Sequence, residues 1–250
     1  MKYSIITGTS SGIGEAIARK LILDRQSIFC ISRRLNESLT ELALSVSGGL
    51  WYFETDLSEL QKLPALMGEI LNLTDSGNIS SLTLVNNAAT LDPVSAAGDY
   101  DIAALQQHFN VSLLAPLILS NEFIRLTRHL DIPKTIVNIG SGAASSPYAG
   151  WGPYCSSKAG LEMFTRTTNL EQKSVTNPVR IISVAPGIVD TPMQQKIRAT
   201  SAGSFPMKER FQQLYQQNLL SRPADVAEKI AGIIDGRISC EGEIIDLRKI

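Results

Sequence analysis

Residues 7–14 read TGTSSGIG and follow directly on the apolar run of residues 3–7 (YSIIT). The apolar run predicts a strand, and the periodic apolar residues at 13–23 predict a helix. Glycines between a strand and a helix permit a tight turn whose N–H groups approach a phosphate, with the positive end of the helix dipole behind them. The spacing G-x-x-x-G-x-G differs from the commoner G-x-G-x-x-G, and a plain turn is the alternative. Its place after a strand and before a helix favours a nucleotide-binding turn.

The rest of the chain repeats this alternation of strand and helix. Further strands are predicted at 27–31, 51–53, 82–85, 135–139, 180–185 and 243–247, and further helices at 99–128, 154–172 and 224–234. The strands are mostly continuous apolar runs, as expected when helices cover both faces of a sheet. The sequence therefore predicts an α/β fold with a Rossmann-type doubly wound parallel sheet in three layers. We expect residues 1–250 to form a single domain, with a flexible loop at 199–206.

Composition and charge exclude several classes of function. The 250 residues carry 23 basic and 24 acidic side chains, so no basic excess supports binding to nucleic acid. No signal peptide and no uninterrupted apolar stretch of about 18 residues is visible, so we expect no membrane span and a cytoplasmic protein. Three distant cysteines and two isolated histidines predict neither a metal site nor a disulfide framework.

Two positions after the early strands bear on the choice of nucleotide. Ser32-Arg33-Arg34 follow the second strand, and no acidic residue occurs before Glu37. Guanidinium groups here favour the 2′-phosphate of NADP(H), although a solvated basic pair opening a helix is the alternative. Asp56 follows the third strand, where it can accept a hydrogen bond from an adenine amino group or serve as a helix N-cap.

Three polar side chains in the second half of the chain form a candidate catalytic set. Tyr154 and Lys158 stand four residues apart on one helical face, so we expect the ammonium to lie near the phenol and lower its pKa. Such a tyrosine can donate a proton to a carbonyl oxygen or take one from an alcohol. Ser141 follows the fifth strand, where its hydroxyl can hold the same oxygen.

Together these motifs resemble the short-chain dehydrogenase/reductase family over essentially the whole chain. The matching elements are residues 7–14, Asp56-Leu57, 86–89 (NNAA), Asn110 in FNVSLLAP, Ser141, 154–158 (YCSSK) and 186–191 (PGIVDT). Two departures are visible: Ala89 stands where the family usually has glycine, and Ser11 stands where a basic residue is common. The second departure leaves the prediction of NADP(H) dependent on Arg33 and Arg34.

The resemblance implies reversible hydride transfer between a nicotinamide and a carbonyl carbon. Tyr154 would be the general acid and base, Lys158 would also hold the nicotinamide ribose, Ser141 would bind the reacting oxygen, and Asn110 would support a proton relay through water. The cofactor-binding residues it implies, besides Arg33, Arg34, Asp56, Tyr154 and Lys158, are Thr7, Gly8, Ser10, Ile13, Gly14, Asn87, Ile188 and Thr191.

Residues 141–158 (SGAASSPYAGWGPYCSSK) and 187–198 (GIVDTPMQQKIR) resemble the benzil reductase and sepiapterin reductase branch of that family. That branch implies reduction of one carbonyl of an aromatic or bulky 1,2-diketone, as in the conversion of benzil to (S)-benzoin. Sepiapterin or pteridine reduction and another NADP-dependent alcohol dehydrogenation are alternatives. A non-catalytic NADP-sensing protein is a third, which the intact Ser141, Tyr154 and Lys158 disfavour.

The expected substrate is a small-molecule carbonyl compound held by an apolar wall. Tyr148, Trp151, Met193 and Phe205 are the candidates for that wall, beside Ser141 and Tyr154. Packing of Trp151 within its own loop is the alternative. The family resemblance also implies a homodimer or homotetramer, formed through the helix predicted at 99–128 and the helix that carries Tyr154. Pro116 is expected to kink the first of these helices or to remove one of its backbone hydrogen bonds.

Overall fold

The computed structural model describes residues 1–46, 48–75 and 77–250, and all strands in this part of the chain belong to one parallel sheet. The strands are β1 (Lys2–Thr7), β2 (Ser27–Ser32), β3 (Leu50–Glu54), β4 (Ser81–Asn86), β5 (Lys134–Ile139), β6 (Arg180–Ala185) and β7 (Ile244–Asp246). Their order is β3-β2-β1-β4-β5-β6-β7, and every neighbouring pair is parallel. The predicted Rossmann-type fold is therefore confirmed.

Helices cover both faces of the sheet. In the described residues they are α1 (Gly12–Leu23), α2 (Glu37–Ser45), α3 (Leu63–Asn72), α4 (Ile102–Phe109), α5 (Ala115–Thr127), α6 (Gly152–Gln172), α7 (Pro192–Ala199), α8 (Lys208–Gln216) and α9 (Pro223–Ile234). On one face α1 and α9 enclose a core with Ile6 and Val137, and on the other α3 and α5 enclose a core with Ile5 and Ile136. The side chains of Ile5 and Ile6, neighbours in β1, point to opposite faces of the sheet, and both faces are covered by helices. The apolar run of β1 is therefore continuous.

The helix predicted at 99–128 is interrupted as Pro116 suggested. A π-helical turn, Asn110–Leu114, joins α4 to α5, and the Ala115 N–H donates to the Asn110 carbonyl oxygen five residues earlier. Pro116 then lies in the first turn of α5, where the missing N–H costs little. The π-turn therefore absorbs the irregularity that the proline imposes.

The continuous helical segment Ile102–Thr127 is long and apolar enough, by length and composition, to cross a membrane. Polar residues interrupt its apolar sequence, so no uninterrupted apolar run of about 18 residues marks this segment. In the structure its second half is a core helix, because Ala115, Leu119 and Phe123 are fully buried against the sheet.

The sheet order reverses direction beside β1, where β2 lies on one side and β4 on the other. At such a switch point the loops that follow the two strands diverge and leave a crevice at the carboxyl ends of the strands. The residues singled out from the sequence follow these strand ends, so the topology brings distant motifs to one edge.

Candidate active site

A cavity of about 870 Å³ opens at this edge, and most of the predicted site residues line it. Those in its wall are Gly8, Ser10, Ile13, Arg33, Arg34, Asp56, Asn87, Ser141, Tyr148, Trp151, Tyr154, Lys158, Ile188, Thr191 and Met193. They come from the turn after β1, from the loops after five further strands (β2 to β6), and from α6 and α7. The cavity therefore joins the predicted nucleotide half and the predicted substrate half into one site.

The glycine-rich turn has the backbone that phosphate binding requires. Gly8 and Gly12 adopt φ values of +73° and +66°, a region in which other residues are strained. A side chain at Gly12 would fill the gap toward Thr191, since a Cβ there would lie 3.4 Å from the Thr191 methyl group. The bare turn thus leaves a cradle between itself and the start of α7, which fits a dinucleotide pyrophosphate.

Thr7 and Gly14 shape this turn and are not among the described residues that line the cavity, so their direct contact with the cofactor stays a prediction. The Thr7 hydroxyl is only 2% exposed and accepts hydrogen bonds from the N–H groups of Asn87 (2.9 Å) and Ala88 (3.0 Å). The Asn87 side chain donates to the Thr7 carbonyl oxygen (2.9 Å) and the Gly8 carbonyl oxygen (3.2 Å). Gly14 leaves room for that amide.

The two arginines after β2 are exposed at the rim of the cavity, on the nucleotide side. The Ser32 hydroxyl donates to the Arg34 carbonyl oxygen (2.9 Å) and so fixes the backbone that carries both guanidinium groups. Asp56 also lies in the wall, where one carboxylate oxygen accepts the Ser58 N–H (2.9 Å) and hydroxyl (2.8 Å). These bonds, with the charge of Arg33, lower the pKa of Asp56. Asp56 therefore lies in the wall and stabilises a local turn with Ser58, while the N-cap of the short helix that follows is Glu59 and not Asp56.

Ser141 and Tyr154 face each other across the floor of the cavity. Ser141 caps a short 3₁₀ turn, and its oxygen accepts the Ala143 N–H (3.1 Å). The Ser141 hydroxyl therefore keeps its one proton for donation, either to the Tyr154 oxygen or to a ligand oxygen that takes its place. Burial raises the pKa of Tyr154, while a hydrogen bond from Ser141 acts in the opposite direction.

Lys158 lies one turn along α6 from Tyr154, with its Nζ atom 5.9 Å from the centre of the phenol ring. The ammonium donates to the Ile139 carbonyl oxygen at the end of β5 (2.7 Å). Burial lowers the pKa of Lys158 to about 8. The predicted lowering of the Tyr154 pKa by Lys158 is thus corrected: burial dominates for both groups, because charging either one in an apolar site is unfavourable.

Asn110 occupies the π-turn, and its side-chain nitrogen donates weakly to the Ser58 carbonyl oxygen (3.5 Å). It lies behind the cavity wall formed by the described residues, whereas its neighbour Val111 is in the wall. The structure therefore brings Asn110 near the site without direct access to it, and its part in a proton relay stays a prediction.

The predicted apolar wall is an aromatic cluster around Trp151. Its indole stacks on Phe205 at 4.5 Å with nearly parallel rings and meets Tyr154 edge to face at 5.5 Å. Tyr148 and Phe211 complete the cluster. Phe205 is fully buried behind Trp151, so it supports the wall and anchors the loop that was predicted to be flexible. Trp151 both packs in its loop and faces the cavity.

Several lining residues escaped the sequence reasoning. They are Leu91, Asp92, Gln107, Val111, Gln194, Lys196, Ile197, Arg210, Phe211 and Arg248. Most lie on α4, α7 and α8, and neither α7 nor α8 was predicted. Thr191-Pro192 carried a usable signal, because a threonine N-cap followed by proline is typical of a helix start, and the Thr191 hydroxyl does cap the Gln194 N–H.

Comparisons with known proteins agree with this site. Residues 2–202 match the short chain dehydrogenase family. The chain is 38% identical over 245 residues to a benzil reductase ((S)-benzoin forming) of Bacillus cereus, covering 98% of both chains. It is 30% identical over 254 residues to the sepiapterin reductase of Mus musculus, covering 97% of this chain and 95% of that protein. Among solved structures, the KRED1-Pglu enzyme superposes with a TM-score of 0.82 at 28% identity, covering 97% of this chain and 98% of that one.

The fold, the glycine-rich cradle and the set of Ser141, Tyr154 and Lys158 in one cavity define an oxidoreductase that acts on carbonyl and CH–OH groups. The chain belongs to the short chain dehydrogenase family. The predicted resemblance to its benzil and sepiapterin reductase branch is confirmed by the relatives.

Proposed function

We propose that this protein is an NADPH-dependent carbonyl reductase that acts on aromatic or bulky 1,2-diketones, with Tyr154 as the proton donor. The observation that carries the proposal is the meeting of the Ser141 and Tyr154 hydroxyls with the aromatic cluster around Trp151 in one cavity. The Bacillus cereus relative is itself a benzil reductase that forms (S)-benzoin. The product expected here is accordingly an α-hydroxy ketone.

The residues present fit a nicotinamide dinucleotide. The turn at Gly8 and Gly12 would hold its pyrophosphate, Lys158 its nicotinamide ribose, and Ile188 with Thr191 its carboxamide. When bound, NADPH supplies the hydride for the carbonyl carbon. The preference for NADPH over NADH rests on Arg33 and Arg34, since two exposed guanidinium groups at the rim suit a 2′-phosphate and no carboxylate precedes them on the strand.

The electrostatics of the site favour the reductive direction at neutral pH. Because burial raises the pKa of Tyr154, the phenol keeps its proton and can donate it to a carbonyl oxygen. Ser141 donates a second hydrogen bond to the same oxygen. Lys158, with a pKa of about 8, remains a cation at neutral pH and stabilises the negative charge that develops on the Tyr154 oxygen.

The substrate wall favours a flat, bulky, apolar compound. Trp151, Tyr148 and Met193 present apolar surface, while Ser141 and Tyr154 supply the polar contacts that orient one carbonyl. This combination matches an aromatic diketone. Sepiapterin, which the Mus musculus relative reduces by its name, remains the second candidate substrate.

The oligomeric state, the single-domain organisation and the cellular compartment are inferred from the family. We propose a homodimer or homotetramer of single 250-residue domains, located in the cytoplasm. Support for self-association comes from large apolar side chains exposed on the α4–α5 segment and on α6, namely Ile102, Leu114, Met163 and Leu170. Sedimentation as a monomer at micromolar concentration would contradict the proposed assembly.

The decisive assay follows consumption of NADPH with benzil, with sepiapterin and with simple ketones, each repeated with NADH. We expect fast turnover with benzil and NADPH. Tyr154→Phe should lower turnover by about 100- to 10,000-fold, since it removes the general acid, and leave NADPH binding intact. Tyr215→Phe is the matched control, because Tyr215 is half exposed on α8 and lies outside the wall.

Activity with sepiapterin alone would move the substrate to pteridines. Binding of NADPH without turnover of any carbonyl would favour the sensing protein. Near wild-type turnover by Tyr154→Phe would overturn the assigned proton donor.

A further inference from the structure

A fully buried histidine bridges the two sides of the proposed substrate pocket. His108 is 0% exposed at the end of α4. Its Nδ1 atom lies 2.7 Å from the Asp92 carbonyl oxygen, and its Nε2 atom lies 2.9 Å from the Ser157 hydroxyl oxygen. Asp92 lies in the cavity wall, and Ser157 stands on α6 between Tyr154 and Lys158. The imidazole thus spans the distance between the substrate side and the catalytic helix.

The hydrogen-bond partners determine where the imidazole proton lies. The Asp92 carbonyl oxygen can only accept, so Nδ1 must carry a proton. In the neutral ring Nε2 is then bare and accepts the Ser157 proton. In the charged ring Nε2 donates to Ser157, whose proton must turn to the Tyr154 carbonyl oxygen, 3.0 Å away. A hydroxyl has one proton, so Ser157 can serve only one of these acceptors at a time.

The surroundings of the ring favour its neutral form. Burial lowers the pKa of His108, and the Lys158 ammonium lowers it further. The carbonyl oxygens of Asp92 and Pro153 and the Asp92 carboxylate raise it, with smaller total effect. The Asp92 carboxylate is itself paired with Lys196 on α7. The Tyr154 ring meets the imidazole edge to face at 6.4 Å and is uncharged at neutral pH.

We propose that neutral His108, protonated at Nδ1, is a positioning residue that holds the pocket wall at Asp92 and the catalytic helix at Ser157 in register. Its two bonds have different functions. The bond to Asp92 fixes the wall against which the carbonyl substrate packs. The bond to Ser157 fixes the turn of α6 that aims the Tyr154 hydroxyl. The inference rests on the proposed carbonyl reductase function.

Two amide substitutions separate the two bonds. His108→Asn keeps a donor near the Nδ1 position but cannot reach Ser157, so kcat should fall about tenfold or more while KM for the diketone changes little. His108→Gln places its amide near the Nε2 position and releases Asp92, so KM should rise about tenfold while kcat changes little. NADPH binding should be unaffected in both variants. Equal changes of kcat and KM in the two variants, or no change in either, would overturn the proposal.

Ser157→Ala keeps the test decisive if the His108 variants do not fold. This variant removes only the hydroxyl, and it should lower kcat without raising KM. Unchanged kinetics in Ser157→Ala would refute the positioning role. Wild-type protein without carbonyl reductase activity would instead refute the proposed function, so the two failures are distinguishable.

The tautomer is tested without any turnover, by ¹⁵N NMR of the imidazole nitrogens at neutral pH. The sequence has two histidines, so a His129→Gln variant assigns the remaining signals to His108. We expect the neutral Nδ1–H form. The Nε2–H form or an imidazolium at neutral pH would overturn the proposal.

Discussion

Replacing Gly14 with alanine should disable the nucleotide half of the site through steric overlap. Gly14 lies in the first turn of α1, directly against the Asn87 side chain. A Cβ atom here would overlap both the Asn87 amide nitrogen and the Gly8 carbonyl oxygen. The second of these is backbone in the cofactor turn, so the methyl group must displace either Asn87 or the turn itself.

The magnitude follows from what each displacement breaks. Moving Asn87 breaks hydrogen bonds of 2.9 Å to Thr7 and 3.2 Å to Gly8, at about 1–3 kcal/mol for each buried group left unpaired. Moving the turn instead strains the backbone by about 1–3 kcal/mol. Alanine gains about 1 kcal/mol of helix propensity over glycine. We expect a net loss of up to about 2 kcal/mol in the free energy of unfolding, because the protein adopts the less costly displacement and the propensity gain offsets part of it.

Urea denaturation and fluorescence titration with NADPH test this expectation together. Gly68→Ala is the matched control, since Gly68 lies inside α3 and a Cβ there meets no atom within 4 Å. That variant should gain up to about 1 kcal/mol and bind NADPH normally. If Gly14→Ala matched the wild type in both stability and NADPH affinity, the steric argument would be refuted.

Further expectations follow from the charged groups. In fluorescence titrations, Arg33→Ala should weaken NADPH binding about tenfold and leave NADH binding unchanged, because only NADPH carries the 2′-phosphate. Equal weakening of NADPH and NADH binding would contradict the assignment of Arg33 to the 2′-phosphate. The kcat/KM for carbonyl reduction should fall as pH rises through about 8, because Lys158 loses its charge there. Lys158→Arg should lack this decline, since arginine keeps its charge. A wild-type kcat/KM that stays constant above pH 8 would contradict the role given to the Lys158 charge. His108 has a lowered pKa in the folded state, so the unfolded chain binds more protons just below pH 6.5 and the free energy of unfolding should drop as pH falls from there, by at most about 1.4 kcal/mol per unit. His108→Asn should flatten that slope in urea titrations; a slope in this variant equal to that of the wild type would contradict the assignment.

The fold could be predicted because each strand is recognisable from a short stretch of sequence. Runs such as Ile5-Ile6 in β1 are apolar on both faces, and each ends at a glycine or polar cluster. The missed helices α2, α3, α7 and α8 are each 8–10 residues long. Helices so short present few turns, and much of their stability comes from tertiary packing that no local pattern records. Phe205 illustrates this, because its burial behind Trp151 orders a loop of small residues.

The candidate site was predictable wherever a residue follows a strand end, and less so elsewhere. Ser141 and Ile188 reach the cavity because parallel strands deliver their carboxyl ends to one edge. Gln107 and Arg210 reach it from helices whose orientation the sequence does not state. The family resemblance implies that Thr7 lines the cofactor, and in the structure its hydroxyl accepts the N–H groups of Asn87 and Ala88, just after β4. The motif therefore identified the turn, but not the hydrogen bonds that its side chains make within the protein.

Burial shifts the pKa of Tyr154 in the direction opposite to the one that the sequence pattern predicts. The spacing of Tyr154 and Lys158 suggests an activated, low-pKa phenol, which would suit proton removal from an alcohol. In the structure both side chains are buried, so the phenol retains its proton and the lysine is the group whose charge is easily lost. In the proposed reaction, the protonated phenol and the Ser141 hydroxyl would each donate a hydrogen bond to the substrate carbonyl oxygen. Under the proposed function, these three residues would therefore begin carbonyl reduction at neutral pH in the protonation state that it requires, because desolvation acts more strongly than their mutual attraction.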